Sequence, residues 1–160
     1  MSKIFQPEFD IVRNKVELAL HLLYKNDHFL ITNGTNERSI THKFAEYLQQ
    51  LFPEWHVDCE YNRLGENHPK DLPGQETSYP DIIIHKRNMM DNLLIIEAKS
   101  IHSQNHSDDA DKRKIKSFIE ENRYSYRFGL WICFYDEISV TRLDWFQNID
   151  GHCSEVNTNE

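Results

Sequence analysis

Apolar residues first recur at helical spacing. Phe9, Val12, Val16, Ala19 or Leu20, and Leu23 mark the buried side of an amphipathic helix over residues 6–24. Residues 27–35 then read as a connection, with Asn33-Gly34 as its turn. A second helix is expected over 37–51, with Asn36 as N-cap, Pro53 as its stop, and Ile40, Phe44, Tyr47, Leu48 and Leu51 as its buried stripe. Beyond Pro53 the period changes. Residues 55–63 predict a strand, and the polar, Gly- and Pro-bearing stretch 64–78 predicts a mobile loop. Residues 80–86 and 92–100 predict two strands joined by a short turn. After another polar stretch come a helix over 111–123, an aromatic strand over 128–135 and a last strand over 138–146.

The expected order is α-α-β-β-β-α-β-β, without strict alternation and without an internal repeat. The fold class is therefore α/β, a central mixed β-sheet flanked by α-helices. One domain is expected over 1–147, with 148–160 a disordered tail.

Composition narrows the functional classes. The 160 residues suffice for one sizeable core, and 39% hydrophobic with 28% charged residues is globular rather than disordered. No apolar run is long enough to span a bilayer. Acidic Glu8 arrives too early for a signal peptide, and Cys59, Cys133 and Cys153 are scattered and odd in number. A cytoplasmic protein without a disulfide framework or CxxC zinc site is expected. The net charge of −8 opposes a broad basic surface for nucleic acid, but not a local patch aided by bound cations.

The chemistry concentrates on Tyr79-Pro80-Asp81-Ile82-Ile83-Ile84-His85 and Leu93-Leu94-Ile95-Ile96-Glu97-Ala98-Lys99. Side chains alternate along a strand, so Glu97 and Lys99 point the same way. A hairpin turn centred near Met89 or Met90 sets Asp81 opposite Glu97 or opposite Lys99. Either register gathers two carboxylates and one ammonium on one face. Charges beside such aliphatic runs need partners. A hard divalent cation supplies one: Mg²⁺, with Mn²⁺ as substitute, takes carboxylate oxygens, here those of Asp81 and Glu97, with the Ala98 carbonyl as a further ligand. The plain alternative is a structural salt bridge from Lys99.

Pro80-Asp81 followed by Glu97-Ala98-Lys99 resembles the motif of the PD-(D/E)XK nuclease superfamily, whose fold is restriction-endonuclease-like. The resemblance covers roughly residues 37–135. It implies Asp81, Glu97 and Lys99 as catalytic residues, and it points to Glu37, since members often carry an acid in the helix ahead of the sheet. Glu37 is equally an ordinary first-turn acid favoured by the helix dipole. The implied activity is metal-dependent endonucleolytic hydrolysis of phosphodiesters in DNA or RNA, with DNA favoured over RNA as the partner. A homodimer or an accessory subunit would supply target recognition.

Weaker signals surround this core. Arg63 and the helical cluster Lys112, Arg113 and Lys116 are candidate phosphate contacts, against the plainer reading of solvated surface. His102 and His106 have zinc-compatible spacing only on a helix, and their neighbours read as loop. His42 and His85 read as structural, and Trp131, Phe134 and Tyr135 as core. No GxGxxG, P-loop, GxSxG or HExxH is present. The competing class is a non-catalytic binding or assembly domain that keeps the nuclease-like fold.

Overall fold

A computed structural model describes residues 6–34, 36–60, 63–64, 68–69, 79–103 and 108–158. Three helices flank a six-stranded mixed sheet, an α/β arrangement as expected.

Helix α1 (Gln6–Thr32) buries Phe9, Val12, Val16, Ala19, Leu20 and Leu23, as the periodicity requires. It does not end at Tyr24. Asp27 leaves helical geometry (φ −131°, ψ 27°), and its carboxylate accepts the Tyr47 hydroxyl. The helix then resumes because Ile31 is wholly buried and Leu30 packs beside it. The polar stretch that reads as a connection is thus a kink. Helix α2 (Glu37–Leu51) is capped by Asn36, whose side chain accepts the Arg38 amide at 2.8 Å. Gln49 directs the chain onward by donating to the carbonyls of Phe52 (3.1 Å) and Trp55 (2.9 Å) and accepting the Val57 amide (2.9 Å).

Strand β1 (His56–Cys59) is shorter than expected. Arg63–Leu64 forms a separate short strand, β2, paired with β3 (His68–Pro69). The rest of the expected 64–78 loop lies outside the described residues. Strand β4 (Ile82–His85) and strand β5 (Asn92–Ser100) form the expected hairpin. Helix α3 (Asp108–Glu120) carries the chain over to β6 (Phe128–Phe134), which lies parallel to β5. After a three-residue link a short 3₁₀ turn occupies Ile138–Val140, and β7 runs over Arg142–Ile149.

Within the expected tail, His152–Val156 form a strand, β8, paired with β7. Its cause is legible in retrospect. Asp150-Gly151 is a two-residue turn with both φ angles positive (52° and 84°), the geometry that matches the twist of a hairpin. The observed order therefore holds one more main-sheet strand than expected.

The strands lie in the order β1-β4-β5-β6-β7-β8, with only the β5–β6 pair parallel. Strands β4 and β6 are buried throughout and β5 nearly so, which is why they read as continuous apolar runs. Alternation splits their side chains between two cores. Ile82, Ile84, Leu94, Ile96, Ala98, Leu130, Ile132 and Phe134 pack with α1 and α2. Ile83, Ile95, Trp131 and Cys133 pack with Ile115, Phe118 and Ile119 of α3. The helix sits hard on β6: a Cβ at Gly129 would lie 2.4 Å from Ile115 Cγ2.

Candidate functional site

The parity that sends Ile83 and Ile95 toward α3 sends Asp81, Glu97 and Lys99 there as well. The β4–β5 register, Ile82 against Ile96 and Ile83 against Ile95, sets Asp81 opposite Glu97 when carried one residue further. Of the two registers open to the sequence, this is the one found.

Carried two residues, the same register sets Pro80 opposite Ala98. Proline has no amide proton, so it cannot close the ladder onto the Ala98 carbonyl. The Asp81 carboxylate instead reaches across and accepts the Ala98 amide at 2.8 Å. Pro80 and Asp81 thus end the β4 side of the ladder and aim a carboxylate at β5.

Glu97 is 2% exposed, deep in the sheet. Burial, and then the charge of Asp81 beside it, push its pKa well above the ordinary value. Asp81 is also raised, chiefly by burial; the Ala98 amide and the Lys114 charge oppose the rise. A buried carboxylate beside a half-buried one, both with raised pKa, calls for a cationic partner.

Part of that role falls to a residue the sequence reading left out. Lys114 Nζ lies 2.9 Å from Glu97 Oε1 and donates at 2.6 Å to the carbonyl of Tyr79. It ties α3 to β5 and to the segment that leads into β4. The apolar stripe Ile115, Phe118 and Ile119, extended back one turn, reaches Asp111 and Lys114. Lys112, Arg113 and Lys116 lie on another side of the same helix. Asp111, also missed, lies 3.3 Å from Lys99 Nζ. Burial disfavours the Lys99 charge, yet Asp111, with Glu37 and Asp81 behind it, holds the pKa above the usual lysine value.

Two oxygens here remain without a hydrogen bond: Glu97 Oε1 and Asp111 Oδ2 are buried and meet lysine charges without an aligned donor. Such atoms are costly to leave unsatisfied. Among the described residues, no three His, Cys, Asp or Glu side chains gather in a metal-holding group. Mg²⁺ does not require one: it is commonly held by one or two carboxylates, with waters and substrate phosphate completing its shell. The carboxylate pair and the Ala98 carbonyl opposite a proline fit that demand, with Lys114 already beside Oε1.

Glu37 stands at the head of α2 and accepts the Ser100 amide at 3.0 Å. It approaches the C-terminal end of β5 from the opposite helix layer, and its charge reaches Lys99. Arg63 lies in β2, and its side chain is outside the described residues, as is His106. His102 Nε2 lies 2.6 Å from Asp136 Oδ1, which accepts its proton.

Lys112, Arg113 and Lys116 line one groove of about 290 Å³, as their spacing suggests, but it is shared with Asp109 and Glu155 and lies toward β7 and β8. Lys112 is also committed elsewhere, 2.7 Å from Asp144 and 4.8 Å over the Trp131 ring. Trp131 and Phe134 are core, as expected. Buried His85 contacts Asp58 at 2.7 Å, and Arg87 donates to the same carboxylate at 2.9 Å. Although burial acts against it, these two hold Asp58 well below the usual carboxylate range. No helix among the described residues is long and apolar enough to cross a membrane. No protein-family model, curated protein or solved structure matches the chain.

Proposed function

We propose that the chain is a metal-dependent endonuclease of the PD-(D/E)XK type, cleaving phosphodiester bonds in nucleic acid, with DNA the favoured substrate. One observation carries this reading: half-buried Asp81 and buried Glu97 stand side by side on paired strands, and burial raises the pKa of each. The motif resemblance adds the restriction-endonuclease-like fold and the choice of phosphodiester.

Asp81, Glu97 and the Ala98 carbonyl would hold Mg²⁺ or Mn²⁺. When bound, the ion lowers the pKa of a coordinated water and offsets phosphate charge. The protein's own contribution is positional. Asp81 is fixed by the Ala98 amide, so its carboxylate is oriented before a ligand arrives. Lys99, held by Asp111 with its charge secured, stands on the same face to stabilise negative charge developing on the phosphate. Glu37, anchored on the Ser100 amide, is placed to influence Lys99 rather than to bind the same ion as Glu97.

Lys114 favours the second reading. An ammonium already beside Glu97 neutralises it as a structural ion pair would, which suits a binding or assembly domain without catalysis.

One experiment separates the two. Calorimetric titration of the protein with Mg²⁺ and Mn²⁺ is paired with cleavage assays on single-stranded, duplex and branched DNA and on RNA. The nuclease reading expects millimolar or tighter metal binding, with cleavage abolished by Asp81→Asn. Absence of both metal binding and cleavage overturns it, as does a fully active Asp81→Asn protein.

A further inference from the structure

Polar chemistry on the α3 face of the sheet extends beyond the row that holds Asp81 and Glu97. Two residues further along β5, the next row on this face runs Lys99, Cys133, Arg142, because Lys99 pairs with Cys133 and Cys133 with Arg142. All three side chains therefore project toward the α3 side, where Cys133 packs. The row lies at the carboxyl ends of the parallel pair β5 and β6, the end at which α/β sheets open a crevice for ligands. Its middle residue is small and buried, so two long cationic side chains face each other across a low floor. Two strand spacings, about 10 Å, separate their backbones. Both charges reach that floor. Burial raises the pKa of the Cys133 thiol, and Arg142 and Lys99 pull it back against Glu37 and Asp108.

The cations around this row differ in what they have left to give. Lys114 is spent on Glu97 at 2.9 Å, Lys99 meets Asp111 at 3.3 Å, and Lys112 meets Asp144 at 2.7 Å. Arg142 also donates to Asp144, but at 3.3 Å, through one nitrogen, to a carboxylate that Lys112 already neutralises. A guanidinium carries five N–H donors, and this side chain is 48% exposed. It is also aimed. Its central carbon lies 5.0 Å from the centre of the Trp131 ring, and Trp131 is the β6 partner of Glu97. The ring thus holds the guanidinium back over the row of the carboxylate pair. A planar, permanently charged fork of donors in this place suits the oxygens of a phosphate.

We infer that Arg142 binds the phosphate next to the one being cleaved. The substrate strand then lies across Cys133, with Lys99 on the reacting phosphate and Arg142 on its neighbour. The assignment rests on the nuclease reading and adds to it a substrate contact outside the motif. A chain of net charge −8 meets a polyanion through few contacts, so each one weighs heavily, and the salt dependence of binding counts them.

The test uses a fluorescein-labelled DNA duplex that the wild-type chain cleaves. Its binding to the full chain carrying Asp81→Asn is followed by anisotropy across a salt series with Mg²⁺ present. In that background Arg142→Gln, which keeps the stem and removes the charge, should weaken binding roughly tenfold. It should also reduce the slope of log affinity against log salt by about 0.9. Arg142→Lys should restore the slope. Arg13→Gln, which removes a cation from α1 on the other side of the sheet, should change neither quantity. Position is read with duplexes that carry one uncharged methylphosphonate linkage. Next to the cleaved bond, that linkage should weaken binding roughly tenfold when Arg142 is present and not at all in Arg142→Gln. Several linkages away, it should affect both proteins alike. A slope that Arg142→Gln leaves unchanged overturns the assignment, as does a penalty at the neighbouring linkages that Arg142→Gln fails to remove. In either case cleavage by the wild type leaves the nuclease reading standing. A wild-type chain that cuts no DNA sinks that reading first, and the role of Arg142 with it.

Discussion

Lys114→Met tests the electrostatics of the site most directly. The substitution keeps an unbranched chain of similar length and removes one positive charge 2.9 Å from Oε1 of Glu97. With both groups charged and an effective dielectric near 20, the gross attraction across that distance is about 6 kcal/mol. The net loss is smaller, because the lysine is itself taken out of water; breaking one side of a buried ion pair costs about 3–5 kcal/mol. At about 2–4 °C per kcal/mol for a domain of this size, the melting temperature should fall by roughly 6–20 °C. The loss must depend on pH. Glu97 has a folded pKa raised above 4.5, and removing Lys114 raises it further. The penalty for its charge is complete above the folded pKa and vanishes as pH falls below the unfolded value, so the variant should approach wild type in acid. Thermal melts at pH 8 and pH 5 measure this, with Glu97→Gln, Lys114→Met alongside. The double variant has no buried charge to strand and should melt above Lys114→Met at pH 8. Magnesium adds a further arm. Under the nuclease reading, the ion restores the missing positive charge, so the single variant should gain more from Mg²⁺ than wild type does. Saturation at 100 times the dissociation constant contributes about 2.7 kcal/mol. A Lys114→Met protein that melts within a degree or two of wild type at pH 8 would refute the reasoning, and so would a deficit that grows toward pH 5.

Three other expectations follow from the same geometry. Lys99→Ala should lower the cleavage rate more than the metal affinity measured by calorimetry; loss of binding at unchanged rate would contradict the role given to Lys99. Asp58→Asn leaves His85 and Arg87 facing a neutral amide, and should destabilise by about 2–3 kcal/mol at neutral pH. Because the Asp58 pKa is depressed on folding, that deficit is full above the unfolded carboxylate value of 3.8 and narrows as pH falls below it; acid titration of the two proteins checks the sign. Gly129→Val places a branched side chain where a single Cβ already stands 2.4 Å from Ile115 Cγ2. It should destabilise by about 1–3 kcal/mol in denaturant titrations, and a neutral result would mean α3 is free to lift off the sheet.

What the sequence disclosed depended on whether a signal was periodic or lay in the contact between distant elements. The hairpin of β4 and β5 was legible because unbroken aliphatic runs tolerate few conformations, and alternation alone puts Glu97 and Lys99 on one face. Whether Asp81 opposed Glu97 or Lys99 turned on one residue of turn geometry, which the Lys86–Asn92 stretch does not encode by pattern. The kink at Asp27 and the hairpin at Asp150-Gly151 were hidden for opposite reasons. At Asp27, polar residues interrupt a helix that the burial of Ile31 sustains, a tertiary effect. At Asp150-Gly151 the turn signal is local and strong, but the polar residues after it read as a frayed end.

Lys114 and Asp111 show the limit most clearly. On their own helix they are an ordinary cation and acid among several. Their importance arises only when α3 settles against Gly129 and carries them over β5, where buried Glu97 and partly buried Lys99 each lack an opposite charge. A motif on two paired strands can announce that charges converge, but the helix that balances them is named by packing. The variant with most to say about the chemistry is thus a residue outside the motif. If Lys114 is the resident counter-charge of Glu97, a divalent ion entering the site must compete with it or share the carboxylate with it. Metal affinity should then rise when Lys114 becomes Met, while stability without metal falls. A merely structural salt bridge would lose stability without gaining affinity, so the two measurements taken together separate a metal site held ready by lysine from a site that lysine has already closed.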